Sequence, residues 1–96
     1  MKLTNKQGAI LRQLGLNIKR ARLRRKQTME AVSTAAGISV PTLRSIEKGD
    51  PNTSMGAYFL ALFILGLEKD LARVAYKDDL GQQIMDAELG VRVKRK

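Results

Sequence analysis

Ser33, Ser39, Ser45 and Ser54 are side chains of the type hydrolases use as nucleophiles, yet the chain has no histidine to activate them. No lysine is placed by the sequence as a substitute base, and no glycine-rich phosphate loop is present. The lack of Cys and His also removes thiolate and imidazole metal ligands, so neither catalysis nor a metal or other cofactor is expected. What remains is recognition chemistry, concentrated between Ser39 and Lys48. Arg44 is suited to a bidentate pair with guanine or to holding a phosphate. Val40 and Pro41 have no side-chain hydrogen bond to offer a base, but can pack on thymine methyl groups or simply start a helix. Ser39 and Thr42 suit cap and phosphate contacts, which position a protein on a duplex without reading its sequence.

The elements that would present these residues are legible in the stretch TMEAVSTAAGISVPTLRSIEKG. Thr28 is a good N-cap, and Glu30 lies favourably against the positive end of a helix beginning there. Gly37 can take the left-handed conformation that stops the first helix. Ser39 then caps a second helix, with Pro41 in its first turn. Val32, Ala36, Ile38, Leu43 and Ile46 form the expected buried set, leaving Val40, Pro41, Thr42, Arg44, Ser45 and Lys48 outward. Two short helices held at a steep angle by a glycine turn can place one of them in the major groove of DNA.

Charge is distributed to match. The chain has 96 residues and a formal charge of +9, and all of the imbalance precedes Gly49. Eleven Lys or Arg face only Glu30 and Glu47 in that half; from Gly49 onward seven bases face seven acids. A cationic half that also carries the turn is what a polyanion binder requires.

One domain is expected from this length. With 44% hydrophobic residues and few aromatics, an all-α bundle with a Leu, Ile, Val, Ala and Met core is expected. Residues 4–25 read as one helix with Ile10, Leu11, Leu14, Ile18 and Ala21 on one face and Gly8 and Gly15 as weak points. Arg20, Arg22, Arg24, Arg25 and Lys26 crowd its end, where cations offset the helix dipole. Ser54 caps a further helix whose uncharged run, residues 55–67, is too short to span a bilayer and too apolar for a solvated face. Part of it must close the core. The rest calls for a second subunit, with Tyr58, Phe59, Leu62, Phe63 and Leu65 as the expected dimer interface. A fifth helix is expected over residues 68–75, with Leu71, Val74 and Ala75 inward. A short helix over residues 80–89 would carry Leu80, Ile84, Met85 and Leu89 as a docking stripe. Arg92, Lys94, Arg95 and Lys96 at the end are suited to nonspecific phosphate attraction or to disorder. The start of the chain, MKLTNKQ, lacks an apolar signal core, so a cytoplasmic protein without membrane association is expected.

The run GISVPTLRSIEKG resembles the turn, recognition helix and closing glycine of the phage-repressor (Cro/C1-type, XRE) helix-turn-helix family, with the likeness extending over residues 16–71. Arg22 and Glu47 fall where that family has a structural ion pair. Three positions depart from its pattern: Gln27 for leucine, Ser33 for alanine, and Met29 for a glutamine that contacts the DNA backbone. The resemblance implies a five-helix phage-repressor-like domain with a C-terminal tail or short helix. Its divisions are residues 1–15 as an extension of the first helix, 16–76 as the domain, and 77–96 as a tail suited to docking. It also implies DNA contact through Thr28, Ser39, Val40, Pro41, Thr42, Arg44, Ser45 and Lys48, with Asn52 and Thr53 near phosphates. With IEKGDPNTS, LEKDLARVA and DDLGQQIMDAELGVRVKR, the chain is similar to HipB-type antitoxins encoded beside HipA-like serine/threonine kinase toxins. Those bacterial regulators are dimers that bind a palindromic operator, repress their own operon and bind the kinase. That resemblance implies the same partners here; the alternative is a module that holds a partner protein with incidental DNA binding.

Overall fold

The computed structural model describes residues 1–89, and among them every regular element is helical. The order is α1 (Asn5–Arg24), α2 (Met29–Ala36), α3 (Val40–Glu47), α4 (Met55–Ile64), α5 (Glu68–Ala72) and α6 (Asp79–Glu88). The basic end that includes Arg92, Lys94, Arg95 and Lys96 lies outside the described residues.

Local chemistry sets these boundaries. Thr4 opens α1 with a reciprocal cap: its hydroxyl accepts from the Gln7 N–H at 3.1 Å, and the Gln7 side chain accepts from the Thr4 N–H at 3.0 Å. The hydroxyls of Thr28, Ser39 and Ser54 cap α2, α3 and α4 in the same position, each accepting from the N–H three residues on. Gly37, at φ +74°, closes α2. After α1 the left-handed position is taken by Lys26, at φ +54°, where a side chain is disfavoured.

The core draws on the first four helices. Ile18 and Ala21 of α1, Val32 of α2, Leu43 and Ile46 of α3 and Ala61 of α4 are sealed from solvent, with Tyr58, Leu62 and Leu65 closing one side. Met29, which the family pattern would make polar, packs against this core instead. Ser33 is also buried, its hydroxyl donating to the Glu30 carbonyl at 3.2 Å, so the extra polar group is satisfied within its own helix.

Two expectations need correction. Ile10 is 71% exposed, because the N-terminal half of α1 runs past the core and only Leu11 and Leu14 beyond it are half-buried. The fifth helix ends at Ala72 rather than at residue 75, and Val74 and Ala75 point to solvent. The reason is local: residues 73–76 form turns closed by Val74 N–H to Leu71 and Tyr76 N–H to Arg73, and Ala75 sits at φ +63°.

Gly15 is not a weak point of α1 but the place where it touches α3. A Cβ there would lie 2.6 Å from both the Gly49 nitrogen and the Ile46 carbonyl oxygen. Gly49, at φ +74°, meets α1 from the other side, its absent Cβ falling 2.6 Å from the Arg12 Cα. The two backbones therefore cross with no side chain between them. Gly15→Ala is expected to lower the unfolding free energy by about 1–3 kcal/mol through overpacking. Gly49→Ala should cost more, since its left-handed conformation adds strain. Gly56→Ala, in the first turn of α4, where an added Cβ would meet the Ser54 hydroxyl at an ordinary contact distance of 3.9 Å, should instead stabilise by about 0.5–1 kcal/mol. Urea unfolding of the three variants checks the order.

Candidate nucleic-acid interface

The packing of α2 and α1 against α3 leaves one face of α3 free. Leu43, Ile46 and Glu47 face inward and are buried; Pro41, Arg44 and Lys48, at three- and four-residue spacing, are exposed on the other side. Val40, Thr42 and Ser45 are half-buried along the edges of that face. Among the described residues no hydrogen bond or ion pair engages the side chain of Arg44 or of Lys48. The Ser39 hydroxyl accepts from the Thr42 N–H at 3.2 Å and donates to the Thr42 hydroxyl at 2.9 Å, so the two expected phosphate contacts form one polar unit at the helix N-terminus.

The remaining expected contacts are placed less uniformly. Thr28 is exposed at the start of α2 with its hydroxyl on the Ala31 N–H. Asn52 is exposed in the loop before α4, its N–H held by the Asp50 carboxylate at 2.8 Å. Thr53 is half-buried and lines a groove between α1, α4 and α5. In the basic run, Arg25 donates to the Ala21 carbonyl at 2.9 Å and so completes the end of α1, while Arg20, Arg24 and Lys26 are exposed.

Arg22 and Glu47 fix α3 against α1. Nε and Nη2 of Arg22 bond Oε2 and Oε1 of Glu47 at 2.7 and 3.1 Å, and Nη1 donates to the Gln27 carbonyl at 3.0 Å. Both side chains are buried. The hydrogen bond to Glu47 holds the guanidinium pKa above its ordinary value, outweighing the opposing effect of burial. Family resemblance alone suggested this pair. The Gln27 carbonyl was not foreseen, since backbone acceptors carry no side-chain signature.

Residues 18–59 match the helix-turn-helix family model. The matched helix-turn-helix segment takes in the last turns of α1, all of α2 and α3, and α4 as far as Phe59. No curated protein and no solved structure matches the chain. The six helices described above and the match together give an all-α fold consistent with a phage-repressor-like helix-turn-helix domain.

The five residues expected at a dimer interface divide sharply. Tyr58, Leu62 and Leu65 are buried in the helix-turn-helix core of a single copy, because α4 needs that face to cover α2 and α3. Phe59 and Phe63 remain exposed, at 39% and 54%, their ring centroids 5.9 Å apart. Tyr58 has a further duty that sequence did not show: its hydroxyl donates to the Asp50 carbonyl at 2.9 Å and pins the loop carrying Asn52. No helix among the described residues is long and apolar enough to cross a membrane.

Two outcomes follow for the helix-turn-helix scaffold. Arg22→Ala or Glu47→Ala alone should destabilise by about 3–5 kcal/mol, whereas the double variant Arg22→Met with Glu47→Leu should cost much less, because no charge is left stranded. Chemical unfolding of the single and double variants checks the difference. Burial, and then the Asp50 carboxylate, push the Tyr58 phenol above its ordinary pKa of 10.0. The folded state thus holds this proton more tightly than the unfolded chain does. The stabilisation is complete below the unfolded value and is lost as pH rises through the folded one. Tyr58→Phe should therefore show a shallower alkaline loss of stability than the unsubstituted protein, with about 1 kcal/mol less stability at neutral pH from the lost hydrogen bond. Thermal unfolding from neutral pH to beyond the phenol titration reads both.

Proposed function

We propose that the protein is a sequence-specific DNA-binding repressor that lays α3 in the major groove and acts as a dimer on a palindromic operator. The observation that carries this reading is the α3 face itself. Arg44 and Lys48 project from it with unengaged cationic groups, while its back is locked by the buried Arg22–Glu47 pair. The helix-turn-helix match supports a DNA-binding regulator. Arg44 is assigned to a base edge or an adjacent phosphate, Ser45 to a base edge, Val40 and Pro41 to apolar contact, and Ser39, Thr42, Thr28, Lys48 and Asn52 to positioning. With so little bidentate chemistry on α3, DNA shape supplements base readout. Half-sites lie about 34 Å apart, one helical turn, and a dimer on promoter DNA excludes polymerase by bulk.

Within that role, the similarity of the C-terminal sequence to HipB-type antitoxins favours autoregulation of a toxin–antitoxin operon, with a HipA-like serine/threonine kinase as protein partner in a bacterial cytoplasm. A second reading, a module that holds a partner protein, is favoured by one feature: α6 exposes Leu80, Ile84, Met85 and Leu89 along its length.

The test is binding of the purified protein to its own upstream DNA and to a scrambled duplex at two salt concentrations. Preference for the upstream duplex, with two copies bound, is expected; equal, salt-quenched binding to both would favour the second reading. Arg44→Ala should weaken binding to the upstream DNA by about 1–3 kcal/mol and relax its preference if Arg44 reads a base. A uniform loss on both duplexes would make it a phosphate contact.

A further inference from the structure

α1 has no acidic residue in its twenty positions, and along one side of it Arg12, Gly15, Lys19 and Arg22 follow at three- and four-residue spacing. That side meets the end of α3. A Cβ on Gly15 would fall 2.7 Å from the Glu47 carbonyl oxygen, and Arg22 bonds the Glu47 side chain, so Lys19, between them, lies along the same contact. Arg12 is reached one step further on, where a Cβ on Gly49 would lie 2.6 Å from its backbone nitrogen. The crossing thus sets Arg12 and Lys19 beside Lys48, the C-cap of α3, and beside the loop that carries Asn52.

All three cations are exposed. Among the described residues no hydrogen bond or ion pair engages the side chain of Lys19 or of Lys48. The Arg12 guanidinium, with five N–H donors, makes one long bond, to the Asn5 carbonyl at 3.5 Å. Acids nearby are turned to other partners. Glu47 is buried against Arg22, while the Asp50 carboxylate accepts from the Asn52 N–H and Asp50 lines the groove walled by Leu14, Tyr58 and Leu62. Cations without internal partners, next to the exposed face of α3, suit the phosphates that border a major groove.

We propose that Arg12 and Lys19 hold phosphates on the strand flanking the half-site, so that α1 clamps the duplex from outside the groove that α3 enters. This rests on the DNA-binding reading above and extends its contact surface to α1, with Arg12 outside the matched residues 18–59. The two positions are about 10 Å apart along α1. Phosphates follow one another on a strand every ~3.4 Å of duplex axis, so each cation has an anion of its own. Such contacts supply affinity and register without base preference.

The test is the salt dependence of binding by the full chain to its upstream duplex and to the scrambled one. In Arg12→Ala, and equally in Lys19→Ala, the slope of log affinity against log salt should become shallower by about 0.9 per bound copy. Both variants should weaken binding to the two duplexes by the same factor and leave the preference between them intact. Arg12→Lys keeps the charge and should keep the slope. Lys69→Ala removes the same charge from α5, which packs on α4, and should leave the slope unchanged. Because Arg12 and Lys19 are exposed, their urea midpoints should match that of the unsubstituted protein, which separates loss of a phosphate contact from damage to the scaffold. An unchanged slope in Arg12→Ala and Lys19→Ala, or an equal change in Lys69→Ala, would overturn the clamp and leave the repressor reading standing. If the unsubstituted protein shows no preference for the upstream duplex, the repressor reading fails, and a slope that still falls in Arg12→Ala would uphold α1 as a phosphate-holding surface.

Discussion

The guanidinium of Arg22 satisfies three acceptors at once, two on Glu47 and one on the Gln27 backbone, and the orientation of α3 depends on that. A helix of eight residues has too little surface to hold its own angle against the rest of a small domain. Its apolar contacts through Leu43 and Ile46 resist separation but are non-directional. The ion pair adds direction near one end of α3, and the contact between Gly15 and Gly49 sets how closely α1 approaches just beyond it. Between them the helix can neither roll nor slide, so the exposed face carrying Arg44 keeps a fixed aim.

Much of this was legible in the sequence because it is written in local chemistry. Thr28, Gly37, Ser39 and Pro41 each act within a few residues of themselves, and the helices begin and end where those residue types require. The Arg22–Glu47 pair was legible only through family resemblance, since nothing in the spacing of 25 residues implies contact. Ile10 was misjudged because it lies beyond the packed part of α1, and Val74 because α5 gives way to turns before reaching it. Helical periodicity says which side of a helix is apolar, but not how far along its length another element lies against it. Gly15 was misjudged because an isolated glycine in a helix reads as lost propensity until its neighbour, here the backbone of Gly49, is known.

The uncharged α4 shows the same limit in another form. Sequence established that its apolar surface exceeds what a solvated helix tolerates, but not how the surface is divided. Tyr58, Ala61 and Leu62 serve the core of one copy, while Phe59 and Phe63 are left outside. The division follows from where α2, α3 and α5 sit around α4, and so is a tertiary fact.

Lys26 occupies the left-handed turn that ends α1, a site where glycine would be unstrained. The chain instead keeps a cation there, at a conformational cost of about 1 kcal/mol. With Arg24 and Arg25 it leaves three exposed cations side by side at the junction of α1 and α2. Glycine at this position would relieve the turn and take one of those cations away, so the stability of the turn and the positive charge of the junction are set against each other at a single residue.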